Sequence, residues 1–425
     1  MALFARWAAK ASFAVATCSL SAAAAPVEPV YSLARKEKPA LVETLRQLVG
    51  IESSSRDPEG LDRIAEMLKD RLVALGGKVE LVQPGADAVK LFDTPPRIGK
   101  AVLARFEGTG TRKIMLLAHM DTVYPRGTLA KRPFRIEGNR AYGPGVADEK
   151  GGVAVALHTL AVLKGLGFRE YGTLTVLIDG DEEISTPGAR NVITRLAAEH
   201  DLVFSCEPTP APKDELALAT SGIAAATLTV RGRPAHAGVN PEDGRNALLE
   251  LAHQLLQTQA LGNPSRGIKF NWTIASAGTT RNVIPDTATA SADVRVRRIG
   301  DFAAVEQSFR SAVAKGHLVP DTQVEATFER RRPPLEVTDR SRAVAKRAQA
   351  IYAELGRQLG LDESSKGAGT DAAFAALSGK PVVLENFGLM GFGYHSPEAE
   401  YVELDSIEPR LYLLARLIME SARER

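Results

Sequence analysis

Short apolar runs alternate along the chain with longer stretches in which apolar residues recur every three or four positions. Ile114-Met115-Leu116-Leu117, residues 174–178 and residues 202–206 are nearly continuous apolar runs, the signature of strands buried on both faces. Residues 78–82 and 100–105 read as short strands before them, joined by a proline-containing loop over 84–99. Helical spacing predicts helices over 39–48, 62–75, 152–166 and 187–199, the last capped by Ser185-Thr186-Pro187. Residues 27–35 read as a loose lead-in. Strands alternating with helices predict an α/β layer fold with a mostly parallel sheet.

From Ser221 the texture changes. Residues 222–230 alternate cleanly, as a strand with one solvated face does. A helix over 245–257, strands over 268–276 and 287–297, a helix over 301–315 and a strand over 322–329 follow. This β-α-β-β-α-β order predicts an inserted ferredoxin-like α+β domain, whose edge strand suits dimerisation or a lid. The α/β pattern then resumes with helices over 339–356 and 371–377, a strand over 381–384 and an amphipathic helix over 405–421. The expected division is 27–220 and 332–425 for one discontinuous domain and 221–331 for the insertion.

The length of 425 residues agrees with two cores rather than one. The formal net charge of +2 is accounted for by Arg6 and Lys10, which lie in a segment with the marks of an export signal. Basic residues come first, then a short apolar run over 11–20, then Ser21-Ala22-Ala23-Ala24-Ala25 before Pro26. Cleavage near Ala25 would leave a neutral chain, periplasmic or secreted, with no electrostatic case for nucleic acid or an anionic membrane. Lipoprotein processing at Cys18 is the alternative, disfavoured by Thr17 before it. Cys206 would then be the only cysteine, so no internal disulfide can form.

The candidate chemistry sits where strands end. His119 and Asp121 follow the run 114–117, and Asp148 lies in Gly143-Pro144-Gly145-Val146-Ala147-Asp148-Glu149-Lys150-Gly151-Gly152, where glycines let groups approach closely. Asp181-Glu182-Glu183 follows 174–178, Glu207 follows 202–206, and His395 lies in Gly391-Phe392-Gly393-Tyr394-His395-Ser396. Open α/β sheets bind ligands along the edge where their parallel strands end. Any one of these groups is an ordinary structural residue. Together they make an inventory for two Zn²⁺ ions: Asp148 bridging, His119 and Glu207 on one ion, His395 and Glu183 on the other. Asp121 would orient His119 through its second nitrogen, and Glu182 would serve as general base. His236, in the insertion, is a candidate donor to an oxyanion. His158, His200, His253 and His317 fall in or at the ends of helices and read as structural. No G-x-S-x-G elbow and no phosphate-binding loop is present.

The stretches 117–124, 142–152, 181–183 and 206–208 resemble the co-catalytic zinc exopeptidases, which include glutamate carboxypeptidases, aminoacylases and succinyl-diaminopimelate desuccinylases. Residues 220–224, 270–275, 369–373 and 391–396 extend the likeness toward the secreted, folate-hydrolysing glutamate carboxypeptidases of the carboxypeptidase G type. The resemblance implies a metallo-carboxypeptidase holding two Zn²⁺ per subunit, with the ligands and base named above. Its substrate would be a small molecule or peptide with a free C-terminal carboxylate. It implies a cis peptide between Asp148 and Glu149, and a homodimer in which His236 reaches the partner's site. It also implies substrate contacts from Asn282, Arg295, Gly369 and Thr370. One departure stands out: the folate-cleaving relatives carry Lys and Ser near where Glu215 and Ala217 fall here. A Glu there would repel a glutamate side chain unless Lys213 or the cluster Arg330-Arg331-Arg332 compensates. An aminoacylase or dipeptidase with another side-chain preference is the alternative function, and a non-catalytic periplasmic binding protein a remote one.

Overall fold

The computed structural model describes residues 25–424, so the expected export segment lies outside the described residues apart from its last alanine. Ten strands organise the chain: β1 (Lys78–Val82), β2 (Ala101–Glu107), β3 (Lys113–His119), β4 (Thr173–Asp179), β5 (Leu202–Ser205), β6 (Gly222–Arg231), β7 (Lys269–Ala277), β8 (Thr287–Val296), β9 (Gln323–Arg332) and β10 (Val382–Leu384). The larger sheet has the order β1-β2-β4-β3-β5-β10. Its four strands β4, β3, β5 and β10 pair in parallel, while β1 and β2 add an antiparallel margin.

The continuous apolar runs have a direct explanation. Ile114, Leu116 and Ala118 of β3 enter one hydrophobic core, and Met115 and Leu117 enter a second on the opposite face. Helices α1 (Val30–Val49), α2 (Pro58–Leu75), α3 (Lys150–Gly165), α7 (Asp339–Ala353) and α9 (Ile407–Arg423) contribute to the first core. Helices α4 (Arg190–Glu199) and α8 (Ala372–Ala376) contribute to the second. Among the described residues no helix is long and apolar enough to cross a membrane.

The insertion is a four-stranded antiparallel sheet of order β7-β8-β6-β9 with helices α5 (Ala247–Thr258) and α6 (Asp301–Val313). Ala224, Ala226, Leu228 and Val230 alternate into a separate core with Phe302 and Phe309. The fold is thus the α/β layer with a ferredoxin-like insertion that the sequence pattern predicts.

Two local expectations fail. Residues 27–35 are not a loose lead-in, because α1 starts at Val30 and passes through Pro39. A proline inside a helix costs about 3 kcal/mol. Val30, Leu41, Leu45 and Leu48 are fully buried, each worth roughly 1.5–3 kcal/mol, so burial prevails over the local rule. Nor do Ser185 and Thr186 cap α4, which starts at Arg190 without a side-chain cap. Both residues take left-handed backbone angles, φ 69° and 55°, and Thr186 Oγ1 donates instead to Asp371. Such conformations cost energy and persist where the surroundings fix them; here they turn the chain back directly after Glu182 and Glu183.

Candidate metal centre

The parallel register brings the ends of three neighbouring strands together. His119 is the last residue of β3 and pairs with Asp179, the last of β4. Leu117 pairs with Ser205, the last of β5, and Glu207 follows two residues later. His119 is buried, and its Nδ1 lies 3.1 Å from the Asp121 carbonyl oxygen and 3.3 Å from Asp121 Oδ1. With the proton on Nδ1, the Nε2 lone pair faces Asp148 Oδ1 at 3.2 Å and Glu207 Oε1 at 3.7 Å. The Asp121 carboxylate is fully engaged: Ser55 Oγ donates to it at 2.6 Å, and the Glu182 and Glu183 amides donate at 3.1 Å each. It lies on the Nδ1 side of the ring, where a carboxylate can orient an imidazole.

Asp148 presents its second oxygen, Oδ2, to His395 Nε2 at 3.2 Å, and that nitrogen is also 3.2 Å from Glu183 Oε2. One aspartate therefore lies between two histidines, each with further carboxylates beside it. His119, Glu149 and Glu207 bring ligand atoms within 4.8 Å of one another, and so do Asp148, Glu183 and His395. Glu149 was not a candidate from the sequence. It is buried; its Oε2 accepts the His119 amide at 2.9 Å, and its Oε1 has no partner. The peptide between Asp148 and Glu149 is cis.

The electrostatics of this edge favour a cation. Burial drives the Glu207 and Glu182 carboxyls well above the usual range, with help from neighbouring carboxylates. Glu183 is pushed up to about 7 by burial and then by Asp148. Burial acts on Asp148 in the same sense, but His119 and His395 outweigh it and hold its carboxyl low. Glu183 Oε1 is buried without a hydrogen-bond partner. Buried carboxylates in mutual repulsion, an orphaned carboxylate oxygen and two imidazoles form a donor set that fits two divalent cations.

Two further residues escape sequence reasoning. Glu400 is buried, and its carboxylate accepts from the amides of Ala147 (2.9 Å), Asp148 (3.1 Å) and Gly145 (2.9 Å), and from the Tyr124 hydroxyl. It fixes the turn that carries Asp148. Gly152 closes the same turn, since a Cβ there would stand 1.9 Å from the Cys206 carbonyl oxygen. Arg332, at the end of β9, is buried with Nη1 2.6 Å from Glu182 Oε1 and 2.9 Å from Asp371 Oδ1, while Nη2 donates to the Glu182 carbonyl at 2.7 Å. The insertion thus ends on the candidate base. Asp148 had a visible signal in its glycine-rich turn. Glu400 and Arg332 had none, because each acts across more than a hundred residues of chain.

The cluster opens into a cavity of about 810 Å³, a size suited to a small organic ligand. Glu182, Glu183, Glu207 and His395 line it, with Arg295, Gly369 and Thr370 farther along. Gly369 packs against β6 so closely that a Cβ would meet the Ser221 carbonyl oxygen at 2.6 Å. The Thr370 hydroxyl is spent on Glu385 inside the protein. Asp293 grips the Arg295 guanidinium at both ends, 2.8 Å each, and Arg295 Nη1 donates to the Gly367 carbonyl at 3.0 Å. Asn282 does not join Arg295 within one chain. It is exposed beside His236, its carbonyl accepting the Ala237 amide at 2.9 Å, and neither residue lines the cavity.

Two of the expected compensating arginines, Arg331 and Arg332, line the cavity, but protein carboxylates already engage them. Arg331 pairs with Asp93 and Glu329, and Arg330 with Glu306. Arg332 is committed to Glu182 and Asp371, and Lys213 does not line the cavity. Long arginine side chains in a strand reach whichever carboxylates the packing offers, and three in a row reach three different places.

An α/β sheet whose strand ends gather imidazoles and carboxylates around one shared aspartate, beside a glutamate, defines a metallohydrolase of the dinuclear class. The chain belongs to Peptidase family M20/M25/M40, whose pattern matches residues 115–420. It is 43% identical to Carboxypeptidase G2 of Pseudomonas sp. (strain RS-16) over 391 residues, covering 92% of this chain and 91% of that protein. It is 29% identical to the succinyl-diaminopimelate desuccinylase of Gluconobacter oxydans over 323 residues, covering 72% and 81%. Its fold matches a dinuclear metal-binding peptidase of the M20 family from Bacillus subtilis with a TM-score of 0.66 and 17% identity, covering 92% of this chain and 99% of that one.

Proposed function

We propose that this protein is a dizinc carboxypeptidase that hydrolyses the amide bond before a C-terminal amino acid, with glutamate as the preferred residue, in peptides, N-acyl amino acids or folate-type substrates. The observation that carries this reading is Asp148, whose two carboxylate oxygens each lie 3.2 Å from a histidine Nε2. The similarity to Carboxypeptidase G2 supports the same reaction. His119, Glu207 and Asp148 would hold one ion, and Asp148, Glu183 and His395 the other, with Glu149 buried beside the first. Two Zn²⁺ ions there would supply Lewis acidity toward the scissile carbonyl and would acidify a water between them.

The chain's own groups do the rest. Glu182 takes the proton of the attacking water and delivers it to the leaving amine. Arg332 fixes Glu182 at both its carboxylate and its carbonyl, so the base keeps its direction. Arg295 receives the terminal carboxylate of the substrate by exchanging it for Asp293, since the guanidinium fork suits either partner. His236 accepts the Gly238 and Val239 amides on Nδ1, both at 3.1 Å. That places its proton on Nε2, free to donate to an oxyanion. That neither His236 nor Asn282 lines the cavity of its own chain supports a homodimer in which both serve the partner's site. The signal-like composition of residues 1–25 supports a periplasmic or secreted enzyme.

Glu215 on the cavity wall favours a second reading, an aminoacylase or dipeptidase with another side-chain preference. Both are tested by incubating the zinc-loaded protein with N-acyl-Glu, N-acyl-Leu, N-acyl-Phe and N-acyl-Arg and measuring released amino acid. Preferred release of glutamate is expected. Faster release of a neutral or basic residue would select the second reading, and release of none would reject both.

A further inference from the structure

The wall of the cavity away from the metal edge carries a charge arrangement that Glu215 alone does not foretell. Residues Glu215–Ala217 pair in parallel with Gly360–Asp362, and the chain then turns so that Lys366 comes back over both strands. Its ammonium binds Glu215 Oε1 and lies 2.9 Å from Asp362 Oδ2. Glu215, Asp362, Lys366, Asp293 and Arg295 all line the cavity. Lys269, opposite Arg295 in the sheet, adds a third cation: its Nζ stands 3.4 Å from where a Cβ of Gly367 would be. Two cations therefore face three carboxylates on this stretch of wall, with Lys269 beside Gly367 as a further cation, so Glu215 does not stand there as an uncompensated charge.

The cations of the cavity differ in what they have left to offer. Arg295 is gripped at both ends by Asp293, Arg331 is shared between Asp93 and Glu329, and Arg332 is buried against Glu182 and Asp371. The Lys366 ammonium has three N–H donors; two carboxylates engage it, and its side chain is 48% exposed while theirs are 12% exposed. An ammonium on a flexible stem is a point charge that can turn toward a new anion without leaving its anchors.

We infer that Lys366, anchored by Glu215 and Asp362, is the residue that binds the side-chain carboxylate of a C-terminal glutamate. The inference rests on the carboxypeptidase reading above. Glu215 takes on a second meaning: it holds the lysine in place and competes with the substrate for it. Removing the lysine should weaken acidic substrates alone, whereas removing the competitor should strengthen them.

The test uses the zinc-loaded full-length mature enzyme with N-benzoyl-glutamate, its neutral isostere N-benzoyl-glutamine, and N-benzoyl-lysine. Lys366→Met is expected to lower kcat/KM for the glutamate substrate roughly 10–100-fold, the scale of one charge-assisted hydrogen bond. The loss should fall mainly in KM, with the glutamine substrate changed less than about twofold. Glu215→Gln is expected to lower KM for the glutamate substrate and leave that for glutamine unchanged. Equal losses on both substrates with Lys366→Met, or none on either, would overturn the assignment while leaving the carboxypeptidase reading intact. A wild-type preference for the lysine substrate would overturn it as well, and failure to hydrolyse any of the three would overturn both.

Discussion

The two ends of the cavity are both built from charged side chains, and they are held in opposite ways. At the metal edge the supporting groups are fixed by buried hydrogen bonds: Asp121 by three donors, Glu400 by four, Glu182 by Arg332. At the far wall Lys366, Glu215, Asp362, Asp293 and Arg295 hold one another through ion pairs that open to solvent. Chemistry needs reacting atoms within fractions of an ångström, and buried networks supply that. Selection of a side chain needs groups that can exchange a protein partner for a substrate, and half-exposed ion pairs supply that, because breaking one costs little. On the reading proposed above, one edge would perform the reaction and the other would choose what undergoes it.

The largest expected effect lies at the rigid edge. Glu182→Gln should retain bound zinc, measured by metal analysis, and lose kcat by roughly 10³-fold or more. Turnover near that of the unchanged enzyme would remove Glu182 from its role as base. Arg332→Met should come next, because it leaves two buried carboxylates without their cation. Breaking a buried pair costs about 3–5 kcal/mol, so chemical denaturation should show a loss of that order. A loss below about 1 kcal/mol would mean that the edge is as yielding as the wall, and the comparison would fail.

Removing the metal should sharpen the contrast through pH. Burial raises the Glu400 and Glu183 carboxyls to about 7, above the value near 4.5 of an unfolded glutamate. Without metal the folded state therefore binds more protons than the unfolded state between about pH 4.5 and 7, and stability falls as pH rises through that window. Each such group contributes about 1.4 kcal/mol per pH unit within it. The melting temperature of the chelated protein should fall over that range, and zinc should abolish the slope by compensating the carboxylates. A chelated protein whose melting temperature rises from pH 4.5 to 7 would contradict the geometry.

The same division governs what could be read in the sequence. Strand interiors were legible because Ile114 through Leu117 must be apolar on both faces, and the parallel register then fixes which polar residues share an edge. That His119, Asp148, Glu183, Glu207 and His395 meet at one edge was legible because each follows an apolar run or sits in a glycine-rich turn. Pro39 misled, since a local helix breaker gave way to buried leucines on both sides of it. Thr186 misled because its hydroxyl serves Asp371, far along the chain. Arg332, Glu400 and Lys366 were illegible in their roles. A charged residue in sequence carries no mark of the partner it will meet, and for each of these three at least one partner comes from a distant segment.

The smallest expected effect falls on the far wall and separates holding from choosing. Lys366→Met removes a half-exposed ammonium from two carboxylates that are largely buried but line the open cavity. The loss in chemical denaturation should therefore fall between the about 0–1 kcal/mol of an exposed pair and the about 3–5 kcal/mol of a buried one, and below that for Arg332→Met. The same substitution is the one expected to alter substrate choice, so a residue of lesser structural weight than Arg332 would govern selection. A loss as large as that for Arg332→Met would instead make Lys366 a structural tie between Glu215–Ala217 and Gly360–Asp362, and the wall would then be as rigid as the metal edge.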